Sequence, residues 1–168
     1  MAKRLRGFEL VADEHRLAKD IFTDEGKRKH EFLTEITLPT RADEGSAGYD
    51  FYLPKDLTLL PAQKQLVFCD VKAYMQEDEV LYLYIRSSLA VKQGIMLSNN
   101  VGIVDASYYS NKGNDGNIGL ALVNTSGRAV ALKKGDRIAQ GIFGKYLVAD
   151  VDETSKEVRD GGIGSSGK

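Results

Sequence analysis

Residues 80–105 read VLYLYIRSSLAVKQGIMLSNNVGIVD and contain the elements that decide the fold. Three short apolar runs in this stretch are typical of strands, and they are Val80–Arg86, Ile95–Leu97 and Asn100–Asp105. Between the first two runs, Ser87–Gly94 predicts one short helix, with serines for its N-cap and a glycine at its end. Strands this short and this closely spaced are typical of an all-β fold.

Similar runs continue on both sides of this stretch and extend the β pattern over most of the chain. Turn-forming residues separate the further candidate strands, which are Leu5–Val11, Tyr49–Tyr52, Leu57–Leu60, Leu66–Lys72, Ile118–Asn124, Val130–Leu132 and Ile138–Lys145. Residues 12–31 differ because they are dense in charge and poor in apolar periodicity, and either a weakly amphipathic helix or a mobile segment fits them. We therefore predict one all-β domain over residues 1–168, a barrel or sandwich with one short helix.

The overall composition argues against several classes of protein. A chain of 168 residues is long enough for one ordinary core and short for two. Its 23 basic and 24 acidic residues nearly cancel, so we expect no nucleic-acid partner. No apolar run approaches the length of a membrane span and no leader pattern is present, so we expect a cytoplasmic protein that does not bind membranes.

The few cysteines and histidines restrict the chemistry further. Cys69 is the single cysteine and lies in an apolar run, where we expect it to act as a small buried apolar residue. His15 and His30 both lie in the polar N-terminal region, away from the motifs described below. An enzyme built on this sequence would therefore use a carboxylate as its base.

Two motifs in the opening stretch have a functional and a structural interpretation. Arg86-Ser87-Ser88 couples a planar guanidinium to the start of the predicted helix, which suits a phosphate but equally suits an ordinary helix cap with an exposed arginine. Asp105 ends a buried strand, where it could act as a catalytic base, but aspartates at strand ends also start turns. Both interpretations are open for each motif at this point.

Three further segments are open in the same way. Ala47–Asp50 places a carboxylate just inside a strand, where turn chemistry alone would also explain it. Gly135–Gln140 is a tight turn entering a strand, and its Arg137 is more typical of an ion pair than of a ligand contact. Residues 159–167 are rich in glycine and serine, which suits either a flexible terminus or a lid whose backbone N–H groups close over phosphates.

Taken in order, these segments resemble the five sequence motifs of the trimeric deoxyuridine triphosphatases (dUTPases). The resemblance covers residues 36–168, and its motifs are Ala47–Phe51, Arg86–Ala90, Asn99–Gly119, Gly135–Gln140 and Arg159–Gly167. The N-terminal Arg6–Val11 is similar to versions from Gram-positive bacteria or their phages. The resemblance implies a distorted jelly-roll β-barrel, with residues 12–35 as a polar N-terminal insertion and residues 159–168 as a mobile C-terminal lid.

The same resemblance implies an enzyme that hydrolyses dUTP to dUMP and pyrophosphate with Mg²⁺. This reaction limits uracil in DNA and supplies dUMP for dTMP synthesis. Members of the family form homotrimers in which each active site draws on three subunits. A regulatory protein partner is a further implication if the protein is encoded by a phage.

The resemblance also assigns roles to individual positions. Asp105 would orient the attacking water at the α-phosphorus, and Asp50 would contact the Mg²⁺ shell through water. The base and the sugar would be recognised by Asn99, Gly102, Ile103, Val104, Tyr108 and Gly119, with Tyr108 leaving no room for a 2′-hydroxyl. The phosphates would be bound by Arg86, Ser87, Ser88, Gln140 and Arg159, and the lid over the base would contain Ile163 and Gly164.

Three features depart from the family pattern. Ile163 replaces the usual lid aromatic, so it can cover the base but cannot stack on it. Arg159 lies closer to the following glycine pair than in most members, which alters the reach of its side chain toward the γ-phosphate. Residues 109–115 lengthen the hairpin after Tyr108 with residues suited to a turn, and Tyr109 is a candidate for the missing aromatic.

Two other functions compete with dUTP hydrolysis. dCTP deaminases resemble dUTPases in fold and in the Arg-Ser-Ser motif, but they carry a catalytic glutamate where this chain has Ala121. A non-catalytic regulatory module is the other alternative. It is opposed by the presence of the whole family set of polar site residues, which are Asp50, Arg86, Ser87, Asp105, Tyr108, Gln140 and Arg159.

Overall fold

Short antiparallel strands are the main regular structure of the chain, which a computed structural model describes for residues 4–22 and 30–152. The strands are β1 (Gly7–Leu10), β2 (Lys19–Phe22), β3 (His30–Leu33), β4 (Thr40–Arg41), β5 (Tyr49–Tyr52), β6 (Leu57–Leu59), β7 (Lys64–Phe68), β8 (Val71–Tyr74), β9 (Glu79–Ile85), β10 (Ile95–Leu97), β11 (Gly102–Asp105), β12 (Gly119–Asn124), β13 (Val130–Leu132) and β14 (Arg137–Lys145). One α-helix, α1, spans Ser87–Gln93, and 3₁₀ turns lie at Asp13–His15 and Ala106–Tyr108.

The strands form several small sheets around one core. The two larger sheets have the orders β11-β9-β14-β5-β4 and β10-β12-β7, and the pairs β1-β8, β13-β6 and β2-β3 add further edges. In β12 every second side chain points inward, so that Leu120 and Leu122 are buried, which is the period-two pattern of a half-buried strand. These side chains join Phe51 and Leu83 of the larger sheet in one hydrophobic cluster. The prediction of an all-β fold with one short helix is confirmed, although the sheets do not close into a continuous ring.

The predicted single strand over Leu66–Lys72 is wrong, because the chain breaks it into β7 and β8. Asp70 has a φ of 54°, a left-handed conformation that interrupts a strand and that aspartate tolerates better than most residues. Its buried carboxylate accepts hydrogen bonds from the backbone N–H groups of Leu17 at 2.9 Å and Ala18 at 2.8 Å. The break therefore anchors the N-terminal segment to the body of the fold.

The amphipathic helix offered for residues 12–31 is wrong for the part that is described. The chain forms a 3₁₀ turn at Asp13–His15, and β2 then pairs with β3 in a register that sets Lys19 opposite Leu33. Residues 23–29, between these two strands, lie outside the described residues.

The predicted helix is confirmed, but its start differs from the prediction. Gly94 follows the helix with a φ of 70° and donates its N–H to the carbonyl of Ala90 at 3.2 Å, as expected for a glycine C-cap. The N-cap residue is Arg86, in an extended conformation and without a side-chain capping bond. Ser87 and Ser88 are therefore the first helical residues, and both side chains are exposed.

The predicted burial of Cys69 is confirmed. Burial raises the pKa of its thiol to about 12, so the side chain is a protonated, unreactive thiol at neutral pH. Within the described part of the chain, no helix is long and apolar enough to cross a membrane.

An ion pair holds β1 in place. The Arg6 Nε donates to both carboxylate oxygens of Glu79, each at 3.1 Å, and the backbone N–H of Gln76 also donates to this carboxylate at 3.1 Å. Glu79 is 3% exposed. The hydrogen bonds from Arg6 are the main cause that holds the pKa of Glu79 below its usual value of 4.5.

This pKa shift predicts that acid weakens the fold through Glu79. The folded state holds this carboxylate ionised more strongly than the unfolded chain does, so the stabilisation is complete above pH 4.5 and is lost as the pH falls through the lowered pKa. In thermal melts taken at decreasing pH, we expect Glu79→Gln to have a lower Tm than the wild type near neutrality and a shallower loss of Tm in acid. The exposed neighbour Glu77→Gln is the matched control, and parallel curves for Glu79→Gln and the wild type would contradict the assignment.

Candidate functional site

A cavity of about 200 Å³ brings together all six residues that the sequence assigned to base and sugar recognition. These residues are Asn99, Gly102, Ile103, Val104, Tyr108 and Gly119. Sites for drug-sized ligands typically enclose roughly 300–1,000 Å³, so this cavity admits only part of a nucleotide-sized molecule. Its size suits a base and sugar inside the cavity with a phosphate chain outside it.

Four apolar residues complete the lining, and the sequence analysis missed them as site residues: Leu66, Leu83, Ile118 and Ala121. Strand pairing places them there, since Leu83 lies opposite Gly102 across β9 and β11, and Leu66 lies opposite Ala121 across β7 and β12. A Cβ atom on Gly102 would lie 3.0 Å from the Cβ of Leu83, so the glycine permits this close approach. No local signal in the sequence identifies such neighbours, because each pair joins strands that are distant along the chain.

Asp105 lies at the end of β11, beside the cavity, and its carboxylate is on the surface. It pairs with Val80 at the beginning of β9 and immediately follows the cavity residue Val104. Although Asp105 occupies the N-cap position of the 3₁₀ turn Ala106–Tyr108, its side chain makes no capping hydrogen bond. Asp105 therefore starts a turn, as the structural interpretation predicted, but its carboxylate does not cap that turn.

A second group of predicted site residues surrounds Asp50 on β5. Asp50 is 7% exposed, and its Oδ2 accepts a hydrogen bond from Arg137 Nη1 at 3.2 Å. The same Oδ2 lies 2.9 Å from Nη1 of Arg86 in an ion pair. Arg137 thus makes the ion pair that the sequence predicted for it, and Asp50 on β5 joins the first residue of β14 to Arg86, the residue before α1.

The Arg86 guanidinium retains an unused donor in this group. Its Nη1 is buried and makes no hydrogen bond within the described residues, because the approach to Asp50 lacks hydrogen-bonding geometry. A buried nitrogen that makes no hydrogen bond is uncommon in folded proteins, and here the ion pair with Asp50 offsets its charge without satisfying it as a donor. An anionic oxygen is the acceptor that a guanidinium binds most strongly.

Gln140 lies next to Asp50 on the same sheet, with the two residues directly opposite across β14 and β5. Gly48, just before β5, packs against its side chain so closely that an added Cβ atom would lie 2.6 Å from Gln140 Oε1 and 3.1 Å from Gln140 Cβ. The glycine therefore fixes where the Gln140 amide lies. With the exposed hydroxyls of Ser87 and Ser88, these side chains form the predicted phosphate-binding cluster.

The two groups of residues lie far apart within one chain. Asp105 is opposite Val80, and Arg86 follows Val80 by six residues in extended conformation, which corresponds to roughly 20 Å. One chain thus presents the cavity with Asp105 at one place and the phosphate-binding cluster at another. A reaction centre that used both from the same chain would have to span this distance.

The remaining predicted site residues are not all placed by the structure. Arg159, Ile163 and Gly164 lie outside the described residues. Tyr109, the candidate for a replacement aromatic, donates its hydroxyl hydrogen to Glu9 and packs its ring against Tyr74 at 6.2 Å between centroids. It is not among the residues that line the cavity of its own chain.

Comparison with known proteins identifies similar chains. The sequence model of the dUTPase family matches residues 34–167. A deoxyuridine 5′-triphosphate nucleotidohydrolase of Lactococcus lactis is 44% identical over 133 residues, which cover 79% of this chain and 89% of that protein. The crystal structure of the dUTPase from Streptococcus mutans has a TM-score of 0.69 and 37% identity, covering 86% of this chain and 99% of that one.

A phage enzyme shares the fold at lower identity. A mutant of the dUTPase from phage phi11 of S. aureus, whose structure shows the coordination of a structural Mg(II) ion, has a TM-score of 0.65 and 17% identity. The alignment covers 92% of this chain and 99% of that one. The dUTPase-like topology therefore extends over most of the described strands.

Proposed function

The chain belongs to the dUTPase family, and we propose that it hydrolyses dUTP to dUMP and pyrophosphate in the cytoplasm. The product would supply dTMP synthesis, and the loss of dUTP would limit uracil in DNA. The observation that carries this proposal is the cavity in which the residues assigned to base and sugar recognition meet, with Asp105 beside it.

The cavity supports selection of a pyrimidine deoxyribonucleotide. Asn99 and the backbone of Gly102–Val104 offer hydrogen-bonding groups at its wall, whereas Leu66 and Leu83 supply apolar packing. Tyr108 lines the same cavity, and we propose that its ring lies against the sugar that follows the base. A 2′-hydroxyl would then meet the ring, and a methyl group on the base would meet a closely packed wall.

We propose that Asp105 accepts a hydrogen bond from a water molecule and directs it at the α-phosphorus. Its place at the rim is consistent with this role, since the α-phosphate is the first phosphate outside the sugar pocket. Arg86, Ser87, Ser88 and Gln140 would hold the phosphate chain and stabilise the charge that develops on the leaving pyrophosphate. The buried donor at Arg86 Nη1 supports this assignment.

The residues present fit a Mg²⁺ ion that the triphosphate brings with it. Within residues 4–22 and 30–152 no cluster of three or more His, Cys, Asp or Glu side chains could cage a metal. Mg²⁺ binds through few carboxylates and keeps several waters, so the single carboxylate of Asp50, held between Arg86 and Arg137, suits a contact with its water shell. The ion would neutralise phosphate charge, while Asp50 and Arg86 orient the chain of phosphates.

A homotrimer would bring the two separated groups together. Since Asp105 and Arg86 lie roughly 20 Å apart along β9, a complete centre would combine the cavity of one subunit with the phosphate-binding cluster of another. Closed cyclic symmetry then produces identical centres at each interface. The tail, with Arg159 and Ile163, would close over such a centre from a neighbouring subunit.

Deamination of dCTP has less support in the geometry. Ala121, which stands where deaminases carry their glutamate, lines the cavity with a methyl group. Among the described residues that line this cavity there is no carboxylate. A proton carrier for attack on a cytosine ring is therefore absent from the position that would need it.

A comparison of four nucleotides tests the proposed function. The purified protein is incubated with Mg²⁺ and dUTP, dCTP, dTTP or UTP, and both pyrophosphate and ammonia are measured. We expect pyrophosphate from dUTP alone. Ammonia from dCTP, or no product from any nucleotide, would overturn the proposal.

Replacing Gly48 should disturb the phosphate-binding cluster without disturbing the fold. In Gly48→Ala the new methyl group displaces the Gln140 amide, so we expect kcat/KM for dUTP to fall roughly ten- to hundredfold, since small misplacements of orienting groups have effects of this size. Gly127→Ala is the matched control, because a Cβ atom there meets nothing within 4 Å. Steady-state kinetics and a thermal melt distinguish the two, and an unchanged kcat/KM in Gly48→Ala would contradict the role of Gln140.

A further inference from the structure

The side chain of Tyr108 is fixed at both ends. Tyr108 lines the cavity, and its backbone lies in the 3₁₀ turn Ala106–Tyr108. At the far end the hydroxyl donates to the carbonyl oxygen of Asn117 at 3.0 Å and accepts a hydrogen bond from Asn114 Nδ2 at 2.8 Å. The plane and depth of the ring at the cavity therefore depend on these two partners.

Asn114 is itself held in a defined orientation. Its Oδ1 accepts hydrogen bonds from Asn111 Nδ2 at 2.8 Å and from the backbone N–H of Gly116 at 3.2 Å. Because the oxygen of the amide is used in this way, the Nδ2 group must face the Tyr108 hydroxyl. Asn111 also donates to the Tyr108 carbonyl oxygen at 2.9 Å, which folds the loop back over the tyrosine.

The loop that carries Asn114 is tied to the body of the fold. Asp115 accepts hydrogen bonds from Lys72 Nζ and from the backbone N–H of Ala12, each at 2.8 Å. Gly116, with a φ of 79°, lies so close to Tyr108 that a Cβ atom would be 2.8 Å from the tyrosine carbonyl oxygen. The loop is therefore a rigid support for Tyr108 and not a free surface turn.

We propose that Asn114 is a positioning residue that sets the Tyr108 ring against the sugar and thereby determines the discrimination between deoxyribonucleotides and ribonucleotides. This inference rests on the proposed function, in which Tyr108 excludes a 2′-hydroxyl. Asn114 does not touch the nucleotide; it acts through the Tyr108 hydroxyl. The residues 109–115, which lengthen this hairpin, thus acquire a role at the sugar pocket.

The geometry explains why one amide has this effect. A tyrosine ring held only at its Cα atom can tilt about its two side-chain torsions, whereas a hydrogen bond at the hydroxyl restricts both. Without Asn114 Nδ2 the hydroxyl loses a donor while it still donates to the carbonyl of Asn117, and the ring gains freedom to move away from the cavity. A 2′-hydroxyl then finds space, and the sugar of dUTP loses part of its contact.

The test compares Asn114→Ala with the wild type on dUTP and UTP. We expect the ratio of kcat/KM for dUTP to kcat/KM for UTP to fall roughly five- to tenfold, the effect of one hydrogen bond, mainly through a higher KM for dUTP and a faster reaction of UTP. Ser110→Ala is the control in the same loop; its Oγ contacts Lys72 at 3.3 Å and should leave the ratio unchanged. A general loss of loop stability would lower both rates together and leave the ratio as it was.

A double-mutant cycle with Tyr108→Phe shows whether Asn114 acts through the hydroxyl. The Asn114→Ala change should have no further effect on the ratio once Tyr108→Phe has removed the hydroxyl. An unchanged ratio in Asn114→Ala, or an equal drop in both backgrounds, would overturn the inference. If Asn114→Ala does not fold, Tyr108→Phe alone decides, since an unchanged ratio there has the same meaning. A wild-type protein that does not prefer dUTP would instead overturn the proposed function.

Discussion

Asp105→Asn is expected to lower kcat for dUTP by roughly 10³- to 10⁴-fold, at the upper end of what a positioned general base contributes. The amide keeps the size of the carboxylate but cannot accept a proton from water, and it orients the water poorly. Because Asp105 lies at the rim and does not line the cavity, the dissociation constant of dUTP should change little. Single-turnover pyrophosphate release and a separate binding titration measure the two quantities.

The surface aspartate Asp56 offers a matched control for this prediction. It is exposed and pairs with Lys133 at 2.8 Å, so Asp56→Asn removes an equivalent charge from a place with no assigned role in the reaction. We expect a wild-type kcat for this variant. A wild-type kcat for Asp105→Asn would refute its assignment as the water-orienting residue.

Mixed trimers should recover activity that neither parent has. Arg86→Ala should be nearly inactive because the main phosphate donor is gone, and Asp105→Asn because the base is gone. If each centre takes these residues from different chains, about a quarter of the centres in an equimolar mixed assembly contain both native residues. Co-refolded chains should thus show a substantial fraction of wild-type turnover.

The control for this experiment is to mix the two variants after each has folded separately, which should restore no activity as long as subunits do not exchange. Size-exclusion chromatography verifies that the co-refolded chains form trimers. Trimers that remain inactive would mean that Asp105 and Arg86 act from one chain. The roughly 20 Å between them along β9 argues against that outcome.

Local patterns in the sequence were sufficient for most of the fold. Tyr49–Tyr52, Ile95–Leu97 and Val130–Leu132 have the predicted bounds, because alternation and turn residues are local signals. The break at Asp70 was not predictable, since its left-handed conformation is stabilised by partners at Leu17 and Ala18, far away in the sequence. Local propensity carries no information about such partners.

The candidate site shows the same division. The motif residues Gly102 and Tyr108 could be assigned to a pocket in advance, and the structure places both in the lining of one cavity. Leu83 and Leu66 could not, because strand register decides which apolar residue faces the cavity. Asn114 was read as a turn residue, which is correct, but its bond to the Tyr108 hydroxyl depends on how the loop folds back.

If each centre is shared between subunits as proposed, the distance between its two halves along β9 would make activity depend on protein concentration. A newly synthesised or highly diluted chain would carry a nucleotide cavity but would lack the phosphate-binding cluster that a neighbouring subunit supplies to it. Specific activity should therefore decline on dilution, as the subunits separate, and recover on concentration. Assembly would serve as the step that switches the enzyme on, with the interface energy determining the concentration at which this happens.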